Sequence, residues 1–195
     1  TGLPPTTATS AELLIDGAAK FEAVLAAVAE AREHVHLEYY IYLPDHIGTA
    51  LRDALVERAR AGVRVRLLLD AVGSGKTKAR FLQPLVDAGG EVAWFHPMRL
   101  RWFWRRPWLN LRTHRKIIVI DGRVAFTGGI NITDEEDERR RDDAYRDLHL
   151  RLEGNVVHEL QTVFAEDWAY ATGRAPRMPL APPAVTGTTV AQVLV

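Results

Sequence analysis

The sequence from residue 113 to residue 131 is THRKIIVIDGRVAFTGGIN. Its Ile-Ile-Val-Ile run has the length and β-branching of a buried strand. His114 and Lys116 are two residues apart, so a strand that includes them places both side chains on one face. Asp121 and Gly122 then indicate a turn, and the residues after them predict a second strand. The stretch predicts a hairpin with an imidazole and an ammonium group side by side.

The residue types in this hairpin suit chemistry on a phosphate ester. An imidazole can act as a nucleophile or carry a proton near neutral pH, and a neighbouring ammonium group favours an anion. The bare backbone of Gly128 and Gly129 allows close approach to an oxyanion, and the Asn131 amide can donate a hydrogen bond. We therefore expect His114, Lys116 and Asn131 to converge on one pocket.

The composition of the chain is that of an ordinary globular domain, with 195 residues, 47% hydrophobic and 26% charged. Lys and Arg together number 25, as do Asp and Glu, so net charge gives no general case for nucleic-acid binding. A mixed charge run at 133–143 is typical of a solvated loop or helix face. The sequence contains no apolar run of bilayer length and no signal-peptide pattern, so we expect a peripheral membrane or cytoplasmic location.

Strand and helix patterns alternate along the chain. Strands are predicted at 12–15, 34–43, 63–70, 91–95, 117–120, 123–127 and 144–152, and amphipathic helices at 18–32, 48–61, 78–88 and 155–172. A strand-helix-strand order implies parallel pairs joined by right-handed crossovers. We predict an α/β fold with a mixed, largely parallel sheet and helices on both faces. Within the strand at 34–43, Glu38 either faces solvent at an edge or is held by a partner.

Residues 98–112 interleave bulky aromatic side chains with arginines just before the hairpin. Ring faces and guanidinium groups together suit a membrane headgroup layer, and they also suit stacking on single-stranded nucleic acid. A third possibility is a loop whose tryptophans pack on the domain while its arginines stay solvated. We favour a membrane surface over nucleic acid, with contacts from Trp102, Phe103, Trp104 and Trp108.

The hairpin resembles the motif of the phospholipase D superfamily: His-x-Lys, four residues, Asp, six residues and Gly-Gly-x-Asn. Six positions match without a gap, namely His114, Lys116, Asp121, Gly128, Gly129 and Asn131. A lone His-x-Lys pair is weak evidence, but this set within a strand-turn-strand pattern is specific. The alternative is an ordinary hairpin that carries a surface histidine and lysine.

The similarity covers nearly the whole chain and is closest to bacterial cardiolipin synthase-like proteins. Outside the motif it is carried by residues 37–41, 62–66, 145–149 and 164–168. Proteins of that branch have two such halves in one chain, and the two motifs face each other across a shared active site. The resemblance implies a second half, from a missing C-terminal part or from another copy of the chain, and we favour the missing part.

We accordingly divide the chain into four segments. Residues 1–10 are expected to be disordered or trimmed, because the chain begins with threonine and not with methionine. Residues 11–173 form a phospholipase D-like domain with one motif. Four prolines mark residues 174–189 as a linker, and residues 190–195 are the first strand of a truncated second half.

The resemblance implies a reaction through a phosphohistidine intermediate, with His114, Lys116 and Asp121 as the catalytic set. His114 is the nucleophile or the general acid, and we prefer the nucleophile. Lys116 and Asn131 bind the phosphate oxygens, with the backbone of Gly128 and Gly129 beside them.

The resemblance also implies orienting residues, a substrate and no metal or other cofactor. Asp147 or Asp121 holds the far ring nitrogen of His114, and we prefer Asp147, which leaves Asp121 as a turn anchor. Glu38 has a buried structural role near the site. The substrate is a phospholipid at a membrane surface, and the acceptor is water, glycerol or phosphatidylglycerol. The alternatives are a nuclease-like phosphodiesterase and a catalytically silent half that binds membrane or nucleic acid.

Overall fold

A computed structural model describes residues 2–95, 113–176 and 187–194 of the chain. The strands are β1 (Thr6–Ala8), β2 (Ser10–Ile15), β3 (His34–Tyr39), β4 (Arg64–Asp70), β5 (Glu91–Phe95), β6 (Lys116–Ile120), β7 (Val124–Gly128), β8 (Leu148–Glu153) and β9 (Thr189–Ala191). The α-helices are α1 (Asp16–Glu30), α2 (His46–Arg60), α3 (Ala79–Asp87) and α4 (Val156–Thr172), and a 3₁₀-helix spans Asp134–Glu136.

Seven strands form one mixed sheet in the order β2-β8-β7-β6-β3-β4-β5. The pairs β3–β4 and β4–β5 are parallel, because helices α2 and α3 cross over between these strands. The other four pairs are antiparallel. The α/β class and the mixed sheet are confirmed, but the prediction of a largely parallel sheet overstated its parallel share. The hairpin β6–β7 and the return of β8 make most pairs antiparallel.

Helices cover both faces of this sheet, as predicted. Helices α1, α2 and α3 pack on one face, where Val35, Leu37 and Tyr39 of β3 join a large apolar core. Helix α4 packs on the other face, where Phe164 stacks on His36 with ring centroids 4.7 Å apart. All six residues of β3 are buried, because both faces of this central strand are covered.

The two ends of the described chain meet in a separate two-stranded sheet. Thr6–Ala8 pairs antiparallel with Thr189–Ala191. This part of the segment at 1–10 is therefore an ordered strand and not disordered. The predicted linker at 174–189 lies mostly outside the described residues. The interpretation of the last residues as the start of a second half stays a prediction.

Candidate functional site

The candidate site lies at the start of β6, where Lys116 pairs with Tyr39 of β3. The Nζ atom of Lys116 donates a hydrogen bond of 2.8 Å to the carbonyl oxygen of His114. The His114 ring stacks on the Tyr40 ring with centroids 4.0 Å apart, and Lys116 Nζ lies 5.8 Å from the centroid of the same tyrosine ring. The structure thus brings His114 and Lys116 together around Tyr40, a residue that sequence reasoning did not single out.

Gly128 and Gly129 allow strand β8 to approach this end of the sheet closely. Gly128 has a φ of +155° and pairs with His149, and an added Cβ would lie 2.7 Å from His149 Nδ1. A Cβ on Gly129 would lie 2.1 Å from the Oδ2 atom of Asp147. A side chain at Gly129 would therefore displace the Asp147 side chain, whereas one at Gly128 would also meet the backbone carbonyl oxygen of Leu148 at 2.5 Å. This steric role adds to the backbone contact with an oxyanion that we predicted for the two glycines.

Four hydrogen bonds fix the position of Asn131. Its backbone N–H and its Nδ2 donate to the two carboxylate oxygens of Glu136, at 2.8 and 2.7 Å. Its Oδ1 accepts from the backbone N–H of Ile41 at 3.2 Å, and its carbonyl oxygen accepts from Lys20 Nζ at 3.1 Å. The partners of Nδ2 and Oδ1 decide the orientation of the amide. The second hydrogen on Nδ2 is the donor that this arrangement can offer to an anion.

Lys20 and Glu136 form a buried charged layer beneath Asn131 that sequence reasoning missed. Lys20 is fully buried, and its Nζ lies 4.1 Å from the centroid of the Phe21 ring and 5.0 Å from that of Tyr39. Burial lowers the pKa of Lys20 well below its ordinary value, and the charge of Glu136 opposes this shift. Glu136 is 7% exposed, so the expectation that the charge run at 133–143 is solvated is wrong at this residue.

Two polar residues, Asp147 just before β8 and His149 within it, interact electrostatically with Lys116. Burial lowers the Lys116 pKa, whereas the charges of Glu136 and Asp147 raise it. His149 is fully buried, and burial together with the charges of Lys20 and Lys116 lowers its pKa to about 2. The imidazole of His149 is therefore neutral beside Lys20 and Lys116. The predicted contact from Asp147 to the His114 ring stays a prediction.

Asp121 lies at the opposite end of β6, about 16 Å from Lys116 at ordinary strand rise. Its carboxylate accepts three backbone N–H bonds of 2.8 Å each, from residues 32, 33 and 34. The side chain thus ties the β6–β7 turn to the connection between α1 and β3. This placement favours the alternative of a turn anchor, and the assignment of Asp121 to the catalytic set stays a prediction.

Glu38 lies on β3 and is fully buried. Of the two predicted environments, it therefore occupies the one in which a partner holds the carboxylate, and not a solvent-facing edge. Its side chain faces α4, whereas the neighbouring Tyr39 joins the core on the other face. The hydroxyl of Thr113 donates a hydrogen bond of 2.6 Å to Glu38 Oε1. Burial, followed by the charge of Asp167, raises the Glu38 pKa to about 8. Glu38 thus contacts the residue directly before His114.

The predicted membrane contacts, Trp102, Phe103, Trp104 and Trp108, lie outside the described residues. Within the described ranges, no helix has both the length and the apolar character that crossing a bilayer requires.

The chain is similar in sequence to bacterial cardiolipin synthases. It is 43% identical over 172 residues to "Cardiolipin synthase 1" of Bacillus cereus, an alignment that covers 88% of this chain and 33% of that protein. It is 43% identical over 164 residues to "Major cardiolipin synthase ClsA" of Bacillus subtilis, covering 84% of this chain and 34% of that protein. The chain therefore spans about a third of the length of these curated relatives.

Solved structures share the fold at low sequence identity. Nuc from Salmonella typhimurium, a phospholipase D family member, matches with a TM-score of 0.62 and 16% identity over 90% of this chain and 100% of that chain. NucT from Helicobacter pylori matches with a TM-score of 0.61 and 14% identity over 83% of this chain and 97% of that chain. The family model described as "Cardiolipin synthase, PLD-like domain" matches residues 24–168. The chain belongs to this family of phospholipase D-like domains.

Proposed function

We propose that this chain supplies one half of the active site of a phosphatidyltransferase that acts on phospholipid, as its cardiolipin synthase relatives imply. The observation that carries the proposal is the arrangement around Lys116. This ammonium group bonds the backbone of His114. Burial lowers its pKa, and Glu136, which holds Asn131, lies close enough for its charge to oppose that shift. Imidazole, ammonium and amide thus belong to one connected set.

His114 is the nucleophile of the proposed reaction. A ring nitrogen attacks the phosphorus of the phosphodiester, a phosphorus–nitrogen bond forms, and the bond to the leaving alcohol breaks. A general acid from the second half gives that alcohol its proton, and the same group then activates the acceptor alcohol or water. Lys116 and the free Nδ2 hydrogen of Asn131 stabilise the charge on the phosphate oxygens, each by a few kcal/mol.

The second half comes from a further part of the same protein or from another copy of the chain. The support for a further part is the length of the relatives, of which this chain covers about a third. The terminal strand gives no support either way, because β9 pairs with β1 of the same chain. The acceptor is water, glycerol or phosphatidylglycerol, since part of its pocket belongs to the second half.

The test uses a chimera in which this chain replaces the matching third of Bacillus cereus Cardiolipin synthase 1. We expect the chimera to convert labelled phosphatidylglycerol in vesicles. We expect His114→Ala to abolish this turnover and His158→Ala, on α4 outside the site, to preserve it. A folded chimera without lipid turnover would overturn the proposal.

Two further measurements on the chain itself separate the alternative functions. Cleavage of single-stranded nucleic acid that depends on His114, without lipid turnover, would favour a nuclease-like phosphodiesterase. If the chain floats with anionic vesicles and the chimera has no activity, a silent binding half is favoured.

The native mass of the purified chain decides between a monomer, which needs a further part, and a dimer of two copies.

A further inference from the structure

Two carboxylates on the α4 face of the sheet hold the residues on either side of His114. Glu38 Oε1 accepts the hydrogen bond from the Thr113 hydroxyl at 2.6 Å. Asp167 of α4 accepts a hydrogen bond of 2.5 Å from the Arg115 guanidinium. Thr113 precedes His114 and Arg115 follows it. The backbone that carries the proposed nucleophile is thus held twice, from the face opposite to Lys116.

The two carboxylates hold the same short segment, residues 113–115, from the α4 face. Glu38 Oε2 is buried and has no hydrogen-bond donor among the residues of the described ranges. Asp167 reaches the same short segment, because Arg115, which it holds, donates its backbone N–H to the Thr113 hydroxyl at 3.4 Å. The charge of Asp167 adds to burial in raising the Glu38 pKa. Two carboxylate oxygens attract each other only when one of them carries a proton, and two ionised carboxylates in a buried site repel strongly. A single proton between Glu38 and Asp167 satisfies the unpartnered oxygen and removes one buried charge.

The charged groups around the pair agree with one proton and one negative charge. Arg115 faces the pair from the segment before β6, and its positive charge balances the single negative charge. On β3 itself the next side chain on the same face is His36, whose pKa burial lowers to about 2, so this ring is neutral. On β4, Leu68 pairs with Glu38 and is apolar, and Arg66 bonds Glu91.

We propose that Glu38 and Asp167 share one proton and act together as a positioning pair that holds His114 through Thr113 and Arg115. The pair does not touch the substrate. This positioning role rests on the proposed function, in which His114 is the reacting group. Loss of the shared proton leaves two negative charges side by side, which separates α4 from β3 and moves the backbone around His114.

The first test follows protonation in the isolated chain by NMR, independently of any activity. Carboxyl ¹³C shifts of Glu and Asp and the ring signals of His114 are recorded as the pH rises from 5 to 9. We expect Glu38 to titrate near pH 8 and the His114 ring signals to show an inflection at the same pH. Asp167→Asn lowers the Glu38 midpoint by at least one pH unit, which is a tenfold change in proton affinity.

Control variants separate a shared proton from general damage. Thr113→Val removes one link to His114, so the Glu38 titration stays while the His114 inflection weakens. Glu166→Gln changes an exposed neighbour of Asp167 and leaves both signals unchanged. A Glu38 midpoint at the ordinary value, or one that Asp167→Asn does not move, would overturn the shared proton. If the ring signals of His114 do not change at the pH where Glu38 titrates, the positioning role is overturned.

The second test measures turnover in the chimera. Glu38→Gln and Asp167→Asn are expected to lower kcat by about tenfold to a hundredfold with little change in KM, because a small misplacement of a reacting group costs that much. In the wild-type chimera we expect kcat to fall as the pH rises near 8, where the shared proton is lost. We expect Glu38→Gln to lack this fall. An unchanged kcat in both variants would overturn the positioning role. If the chimera does not turn over lipid at all, the proposed function fails, and the NMR titration still decides whether the pair shares a proton.

Discussion

The ring of His114 stacks on the ring of Tyr40, with centroids 4.0 Å apart and planes 22° from parallel. A stacked contact uses the ring faces and leaves the two imidazole nitrogens at the edge, where a phosphorus atom can approach. Such contacts contribute about 0.5–1.5 kcal/mol. Tyr40 thus limits the orientations of an exposed histidine without occupying its nitrogens.

Replacement of Tyr40 tests this orientation. We expect Tyr40→Leu to lower kcat in the chimera about two- to tenfold. Loss of the ring contact removes up to about 1.4 kcal/mol of the free energy that holds the His114 ring in its reactive orientation. Tyr40→Phe keeps the ring and is expected to retain wild-type turnover. Tyr145→Leu, at an exposed tyrosine, serves as the control. An equal loss in Tyr40→Leu and Tyr40→Phe would assign the effect to the hydroxyl and not to stacking.

Gly128 tests the close approach of β8. A Cβ at this position would meet the backbone carbonyl oxygen of Leu148 at 2.5 Å, so we expect Gly128→Ala to destabilise the fold by roughly 1–3 kcal/mol through overpacking, in addition to backbone strain. Gly89→Ala is the matched control for the strain, because Gly89 has a φ of +93° with nothing within 4 Å of its added Cβ, and its cost is about 1 kcal/mol. Urea unfolding measures both. A loss at Gly128 no larger than that at Gly89 would contradict the steric explanation.

Replacement of Asp121 distinguishes an effect on stability from an effect on catalysis. Removal of its carboxylate in Asp121→Ala leaves three backbone N–H groups without their acceptor, and we expect a loss of about 1–3 kcal/mol in the free energy of unfolding. Turnover of the chimera is expected to stay within about twofold below the unfolding temperature. Asp143→Ala removes an exposed partner of Arg141 and should change neither quantity. A loss of kcat in a stably folded Asp121→Ala variant would support the assignment of this residue to the catalytic set.

Local signals carried most of what the sequence predicted correctly. The hairpin at 113–131 combines β-branched residues, a turn pair and a motif within one short stretch, so its strands and the neighbourhood of His114 and Lys116 followed from residues close in sequence. The sheet order did not follow, because β8 inserts between β2 and β7 through contacts that are distant along the chain. Periodicity describes the faces of each strand and not its neighbours.

The buried charges escaped prediction for a related reason. Lys20 lies in line with Val24 and Val28 on the apolar face of α1, which is an unusual position for a lysine and was the available signal. Its partners Asn131 and Glu136 are more than a hundred residues away, and Glu136 stands in a run of charged residues that is ordinarily solvated. A charge becomes favourable in a core only with its partner, and the sequence does not show that pairing.

The coupling between Lys20 and Glu136 is measurable by a double-mutant cycle. Glu136→Gln replaces one of the two acceptor oxygens that bind Asn131 and leaves a buried ammonium without a counter-charge, so we expect a loss of about 3–5 kcal/mol. Lys20→Met removes the charge and keeps the length of the side chain. The double variant is expected to lose less than the sum of the single losses. Strictly additive losses would show that the two charges do not interact.

The raised pKa of Glu38 makes a contribution to stability that falls as the pH rises. The folded state keeps the Glu38 proton up to a pKa of about 8, whereas the unfolded chain releases it near the ordinary value of 4.5. Between these values the folded state binds more protons, so its stability decreases with pH, by up to about 1.4 kcal/mol per pH unit. His149 has the opposite sign, because its lowered pKa lets the unfolded state bind more protons below about pH 6.5.

The window from pH 6.5 to pH 8 therefore isolates Glu38 from His149. We expect the free energy of unfolding of the wild-type chain, relative to Glu38→Gln, to fall steadily across this window and to level off above it. Urea unfolding at half-unit pH steps measures the difference, and Glu166→Gln should follow the wild type throughout. A difference that is constant from pH 6.5 to pH 8 would mean that Glu38 is already ionised in the folded protein. The buried site would then hold two negative charges beside Arg115, and the arrangement around His114 would need another source of compensation.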